Sequence, residues 1–206
     1  MNARKIHLVT LVTLVAAALA VPASASANHM FVHNNAEGKH VKLEGEPEVT
    51  VSGNLRFSDG IGAYECSVTS QVKLRTEEAL MTSLVYNLND CVGEGDLEGC
   101  VLLSAAPASE EENLSPANPW TVDIRPQNTA LNITGMEIYF GFDEETCIVP
   151  EIILTAEVMA TPNNTNAITA LGLSEIAAVT HVGAFELPAS VNGSLIVEPI
   201  KTYGIT

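Results

Sequence analysis

The sequence is poor in positive charge: 9 Lys and Arg stand against 25 Asp and Glu in 206 residues, a formal net charge of −16. Nucleic-acid backbones and anionic membrane surfaces are bound by clustered cations that displace counterions, so this balance excludes both partner classes. Aromatics are scarce, at 5% with one Trp, and offer few exposed platforms for sugar rings. No Gly-x-Ser-x-Gly elbow or phosphate-cradling glycine loop with a lysine occurs. After residue 21 no apolar run approaches the roughly 18 to 20 residues needed to span a bilayer, so membrane insertion of the mature chain is not expected.

What is present begins with an export signal. Arg4 and Lys5 precede the apolar run Ile6 to Val21, and Pro22 opens a stretch of small residues with two overlapping cleavage patterns, Ala23-Ser24-Ala25 and Ala25-Ser26-Ala27. Residues 1–27 are read as a secretory signal peptide and 28–206 as one mature domain, secreted or held at the cell surface. That leader carries no acid, so the mature chain is more acidic still.

Export places four cysteines in an oxidising compartment, where an even count favours disulfides over metal ligation. Between Cys91 and Cys100 lie Gly93, Gly95 and Gly99, which suit a sharply closed loop. The expected pairs are therefore Cys91 with Cys100 and, by elimination, Cys66 with Cys147. The same loop carries Asp90, Glu94, Asp96 and Glu98, oxygens that a Ca²⁺ ion would accept although the spacing is not that of an EF-hand.

Along the mature chain the pattern is one of short strands. Val49, Val51, Leu55 and Phe57 alternate, with Gly53 between them expected to form a bulge. Asp59-Gly60 marks a turn into a second strand over 63–74, giving a hairpin. Residues 76–91 have leucines at 80, 84 and 88, which fit a helix, but also the alternation Leu84, Tyr86, Leu88, which favours a strand. Residues 104–119, with three prolines around Glu110-Glu111-Glu112, read as a loop. Trp120, Val122 and Ile124 alternate as a strand with Trp120 directed to the core. The small apolar stretch 167–182 is either a short helix or a buried strand. Val191-Asn192-Gly193-Ser194-Leu195 echoes Val51-Ser52-Gly53-Asn54-Leu55, as generic strand grammar would.

Candidate chemical groups are thin. His29 and His33, four apart, could share a helical face and hold copper or zinc, and a cut after Ser26 would set His29 third from a Cu²⁺-chelating free amine; His40 lies in a polar stretch, and His181 reads as a packed, hydrogen-bonded ring. No catalytic, cofactor or metal residues are assigned, and no cofactor is expected.

The segments Val51-Ser52-Gly53-Asn54-Leu55, Tyr64-Glu65-Cys66, Leu88-Asn89-Asp90-Cys91, Gly99-Cys100, Asn118-Pro119-Trp120 and Tyr203-Gly204-Ile205-Thr206 resemble small secreted cysteine-containing proteins of actinobacteria. That resemblance tilts 76–91 further towards strand and supplies no catalytic or binding residue. The expected fold is all-β, a two-sheet β-sandwich of short antiparallel strands, with a closed β-barrel as the alternative. The expected function is that of a non-catalytic extracellular or cell-surface protein that binds a protein or glycan partner or contributes to the envelope. The alternative is a secreted glycan-active hydrolase with a carboxylate pair.

Overall fold

The computed structural model describes residues 29–107, 114, 119–125, 129–199 and 202–206. The expected signal peptide, 1–27, lies outside them, as does most of the Pro/Glu-rich stretch. The described residues are all-β and contain no helix: β1 (Phe31–Asn34), β2 (His40–Lys42), β3 (Glu48–Ser58), β4 (Gly62–Leu74), β5 (Glu78–Gly95), β6 (Leu102–Pro107), β7 (Trp120–Ile124), β8 (Leu131–Phe142), β9 (Glu151–Pro162), β10 (Ala170–Val182), β11 (Phe185–Glu198) and β12 (Tyr203–Ile205). Among them no helix is long and apolar enough to cross a membrane.

Nine strands form one antiparallel sheet in the order β6-β8-β7-β5-β4-β3-β11-β10-β9, and β8 also pairs with β9. The fold is sandwich-like. Rings from β3, β4 and β5 meet β8 across the interior, Phe57 on Phe140 with centroids 5.2 Å apart and Tyr64 on Phe142 at 5.3 Å. The pairing of β8 with β9 carries the hydrogen-bond ladder from one layer into the other, so β8 has a partner along both edges. Bulges turn such corners: the β8–β9 register slips between Ile133 and Met136 around Gly135, whose φ of 67° an L side chain would resist.

Residues 76–91 contain the strand that their alternation favours, since the four-residue spacing of the leucines at 80, 84 and 88 is also a multiple of two. In β5 the buried positions are Ala79, Met81 and Thr82, then Tyr86 with Leu84 half-buried; the register slip at Thr82 sets Leu80 and Leu84 on opposite sides of one strand. The undecided stretch 167–182 contains β10, paired on both sides by β9 and β11. The expected loop over 104–119 begins later than its composition suggests, because Ser104 to Pro107 pair with Ile138 to Gly141 of β8.

Gly53 does not form a bulge. Both ladders of β3 run through it without a shift. The echoed segments instead lie side by side: β3 pairs with β11 so that Gly53 faces Leu195 and Leu55 faces Gly193. A Cβ on Gly53 would overlap the Ser194 carbonyl oxygen, and one on Gly193 would overlap the Asn54 carbonyl and lie 2.7 Å from Leu55 Cδ2. The two glycines permit close approach of two backbones, which is what their matching sequence contexts encode.

The interior has two unlike halves. Around the disulfides it is filled by Phe57, Tyr64, Tyr86, Phe140 and Phe142 with Leu97. At the other end it is aliphatic, and a second sheet, β12-β1-β2, lies over it. Phe31 of this cap is 2% exposed and sits in the same core cluster. Its amide donates to the Thr76 carbonyl at 2.8 Å, and the Ile205 amide donates to Thr165 O at 2.7 Å.

Candidate functional site

The two disulfides are Cys66–Cys91 and Cys100–Cys147, which corrects the pairing expected from the glycine-rich loop. Cys91 belongs to β5, whose residues 92–95 pair with Gly62 to Glu65 of β4, so the ladder sets Cys91 beside Cys66 with Cα atoms 4.2 Å apart. Cys100 comes after a turn, closed by Glu98 N–H to Gly95 O at 3.1 Å and Cys100 N–H to Leu97 O at 3.2 Å, that aims it at Cys147. The glycines serve packing within this loop. A Cβ on Gly93 would overlap the Leu97 carbonyl, and Leu97, 3% exposed, is the apolar anchor that draws the turn onto Tyr64 and Gly62. The Cys100–Cys147 bond spans the 104–119 stretch, and the Tyr64 hydroxyl donates to Cys100 O at 3.0 Å. Burial raises the pKa of that phenol, against the Leu102 backbone, which lowers it.

The carboxylates of this loop do not converge as a calcium site would require. Asp90 accepts from the Asn87 side-chain amide, and Glu94 is engaged by the Arg56 guanidinium. The hydrogen bond and charge of Arg56 lower the pKa of Glu94, and Glu94 raises that of Arg56 in turn. Among the described residues no three His, Cys, Asp or Glu side chains gather as metal ligands. The histidines are dispersed in the same way. His33 lies in β1, where a four-residue spacing is not a shared helical face; its ring packs on Tyr203 with centroids 5.7 Å apart. His29 Nδ1 lies 3.2 Å from Thr206 O and His40 Nε2 3.2 Å from Asn166 O. His181 is hydrogen-bonded as expected, 3.3 Å from Thr155 Oγ1, near the β10–β11 turn rather than in the core. Trp120 is half-buried and lines the aliphatic interior.

What gathers at the disulfide end is apolar surface. Val92, Val101, Leu103 and Ile148 are 62%, 47%, 61% and 86% exposed. Val101 N–H donates to Thr146 Oγ1 at 3.1 Å, and Ile148 follows the cysteine bonded to Cys100, so these two are held close together. Val92 follows Cys91 and lines an open hollow of about 540 Å³ that also includes Cys100, Glu94 and Glu98. The sequence signal for this patch is a repeated step: Cys91-Val92, Cys100-Val101 and Cys147-Ile148 each place an aliphatic β-branched residue directly after a cysteine. In extended chain such as β5 consecutive side chains point to opposite faces, so Cys91 turned to Cys66 sends Val92 outward, while Cys100-Val101 and Cys147-Ile148 lie in the connections that follow β5 and β8. Compared with protein-family models, curated proteins and solved structures, the chain has no match.

Proposed function

We propose that the chain is an exported, non-catalytic binding protein, active outside the cell or at its surface, that engages a partner protein through its disulfide-clamped end. The observation that carries this reading is the grouping of Val92, Val101, Leu103 and Ile148 on one covalently fixed end. Several exposed aliphatics at one end of a molecule are a recurrent feature of protein interaction sites. Aliphatic side chains favour a protein over a glycan, because sugars stack on aromatic faces and Trp120 is turned to the interior. Two disulfides suit an extracellular setting.

The test is site-specific photocrosslinking on the mature chain. A photoreactive side chain at Ile148 or Val92 should capture a discrete partner from the producing cell's envelope, and one at Val41, 38% exposed in cap strand β2 at the opposite end, should not. Equal capture from all three positions, or none from any, overturns the reading.

A further inference from the structure

Beneath the cap sheet the aliphatic half of the interior encloses a chamber of about 90 Å³. Its walls are Val, Leu, Ile, Met and Ala side chains from both layers, and the one short polar side chain among them, Ser70, already donates its hydroxyl to Ser83 O at 2.7 Å. A guest bearing hydrogen-bonding groups would leave them unpaired there. Of the aromatic residues that line the chamber, Phe31 and Tyr203 come from the cap and Trp120 from the start of β7. Tyr203, half-buried, borders both the chamber and an open hollow on the outer side near His33, Val41 and Leu43. Tyr203 therefore lies between the chamber and that outer hollow. Both disulfides lie at the other end of the molecule, and the cap is joined to the rest of the fold by hydrogen bonds such as Phe31 N–H to Thr76 O at 2.8 Å and Ile168 N–H to Tyr203 O at 2.9 Å, so its movement breaks no covalent link.

We propose that this chamber is a binding site for a small, uncharged, apolar guest, admitted past Tyr203 by movement of the cap. At about 30 Å³ per water- or methylene-sized group, the volume accepts about three such groups. It is smaller than the engineered cavity of about 150 Å³ that takes benzene or xenon, so xenon is the appropriate probe and benzene should be excluded or bind more weakly. This inference is independent of the protein-binding surface at the opposite end.

The experiment is methyl-selective NMR of the mature, disulfide-intact chain under xenon. Methyl signals of Met81, Met136, Val158 and Leu171, which line the chamber, should shift saturably, while those of Leu97 and Ile152 in the aromatic half stay still. Ala160→Leu, whose added carbons occupy the chamber, should weaken xenon binding by about tenfold or more, and the milder Ala160→Val should weaken it by a smaller factor if the larger change prevents folding. Tyr203→Ala should speed xenon exchange while moving the affinity by less than about twofold. Absence of saturable shifts, shifts spread equally over both halves, or shifts unchanged in both Ala160 variants would overturn the proposal.

Discussion

Removing the disulfides in pairs tests the arrangement of the clamped end. Cys66–Cys91 and Cys100–Cys147 close sequence separations of 25 and 47 residues. On the chain-entropy relation these are worth about 3.5 and 4.1 kcal/mol, a difference of only about 0.6 kcal/mol. The two loops do not overlap in sequence, so their contributions should nearly add. Cys66/Cys91→Ala and Cys100/Cys147→Ala should then cost similar amounts. Cys91/Cys100→Ala and Cys66/Cys147→Ala each break both bonds and should cost about 7 to 8 kcal/mol, comparable with the whole stability of an ordinary domain. Denaturant unfolding of the four double variants under non-reducing conditions reads this directly, with the second pair unfolded or nearly so in water. Had the glycine-rich loop closed on itself, the pattern would invert: Cys91/Cys100→Ala and Cys66/Cys147→Ala would be the single-bond variants. Greater stability in those two than in Cys66/Cys91→Ala and Cys100/Cys147→Ala, or a Cys91–Cys100 peptide in a non-reducing digest, would refute the pairing.

Four further outcomes follow from particular contacts. Tyr86 is buried against Phe140, and among the described residues its hydroxyl has no partner, so Tyr86→Phe should leave thermal stability unchanged or raise it by about 1 kcal/mol. Tyr64→Phe deletes the bond to Cys100 O and should lower stability by about 1 kcal/mol in the same assay. Burial holds the Tyr86 phenol well above its ordinary value of 10.0; the unfolded chain loses that proton first, so stability should fall as pH rises above about 10, and less steeply in Tyr86→Phe. For Glu94, whose pKa Arg56 lowers, the ion pair contributes above the unfolded carboxylate value and is lost as pH falls through the folded one; Arg56→Ala should move the Glu94 carboxyl titration, followed by NMR, upward.

The all-β class was legible because alternation is a local property: Val49, Val51, Leu55 and Phe57 are buried in β3 as their spacing implies, and Asp59 caps its turn by accepting the Ile61 amide at 2.8 Å. Partner choice was not legible. A cysteine's mate is fixed by strand register, and the register of β4 against β5 depends on four residues, 88–91, that bulge opposite Cys66 between the Glu65–Val92 and Ser67–Asn87 pairs. The glycines misled for the same reason. Gly93 suggests a tight loop from its neighbours in sequence, but the constraint on it is the Leu97 carbonyl and the Tyr64 ring, which only the folded turn brings near. The candidate site was half visible, since the cysteines were evident and the outward aliphatics that follow three of them become informative once those cysteines are known to lie inward.

The β3–β11 seam shows how a weak sequence echo can report a strong tertiary constraint. Close approach of two antiparallel backbones requires a small residue on each strand, placed symmetrically about the midpoint of the contact, and Gly53 and Gly193 satisfy this across Leu55 and Leu195. The Cβ positions they would carry fall on backbone carbonyls, which cannot rotate away as a side chain can. Gly193→Ala must therefore displace β3 from β11, and overpacking of this kind costs about 1 to 3 kcal/mol. Because Leu55 and Leu195 line the chamber beneath the cap, the displacement should also alter the xenon response, whereas Gly60→Ala, with no atom within 4 Å of the added carbon, should leave both stability and xenon response within error. A Gly193→Ala variant as stable as the parent would mean that the seam is looser than the overlap with Asn54 O implies.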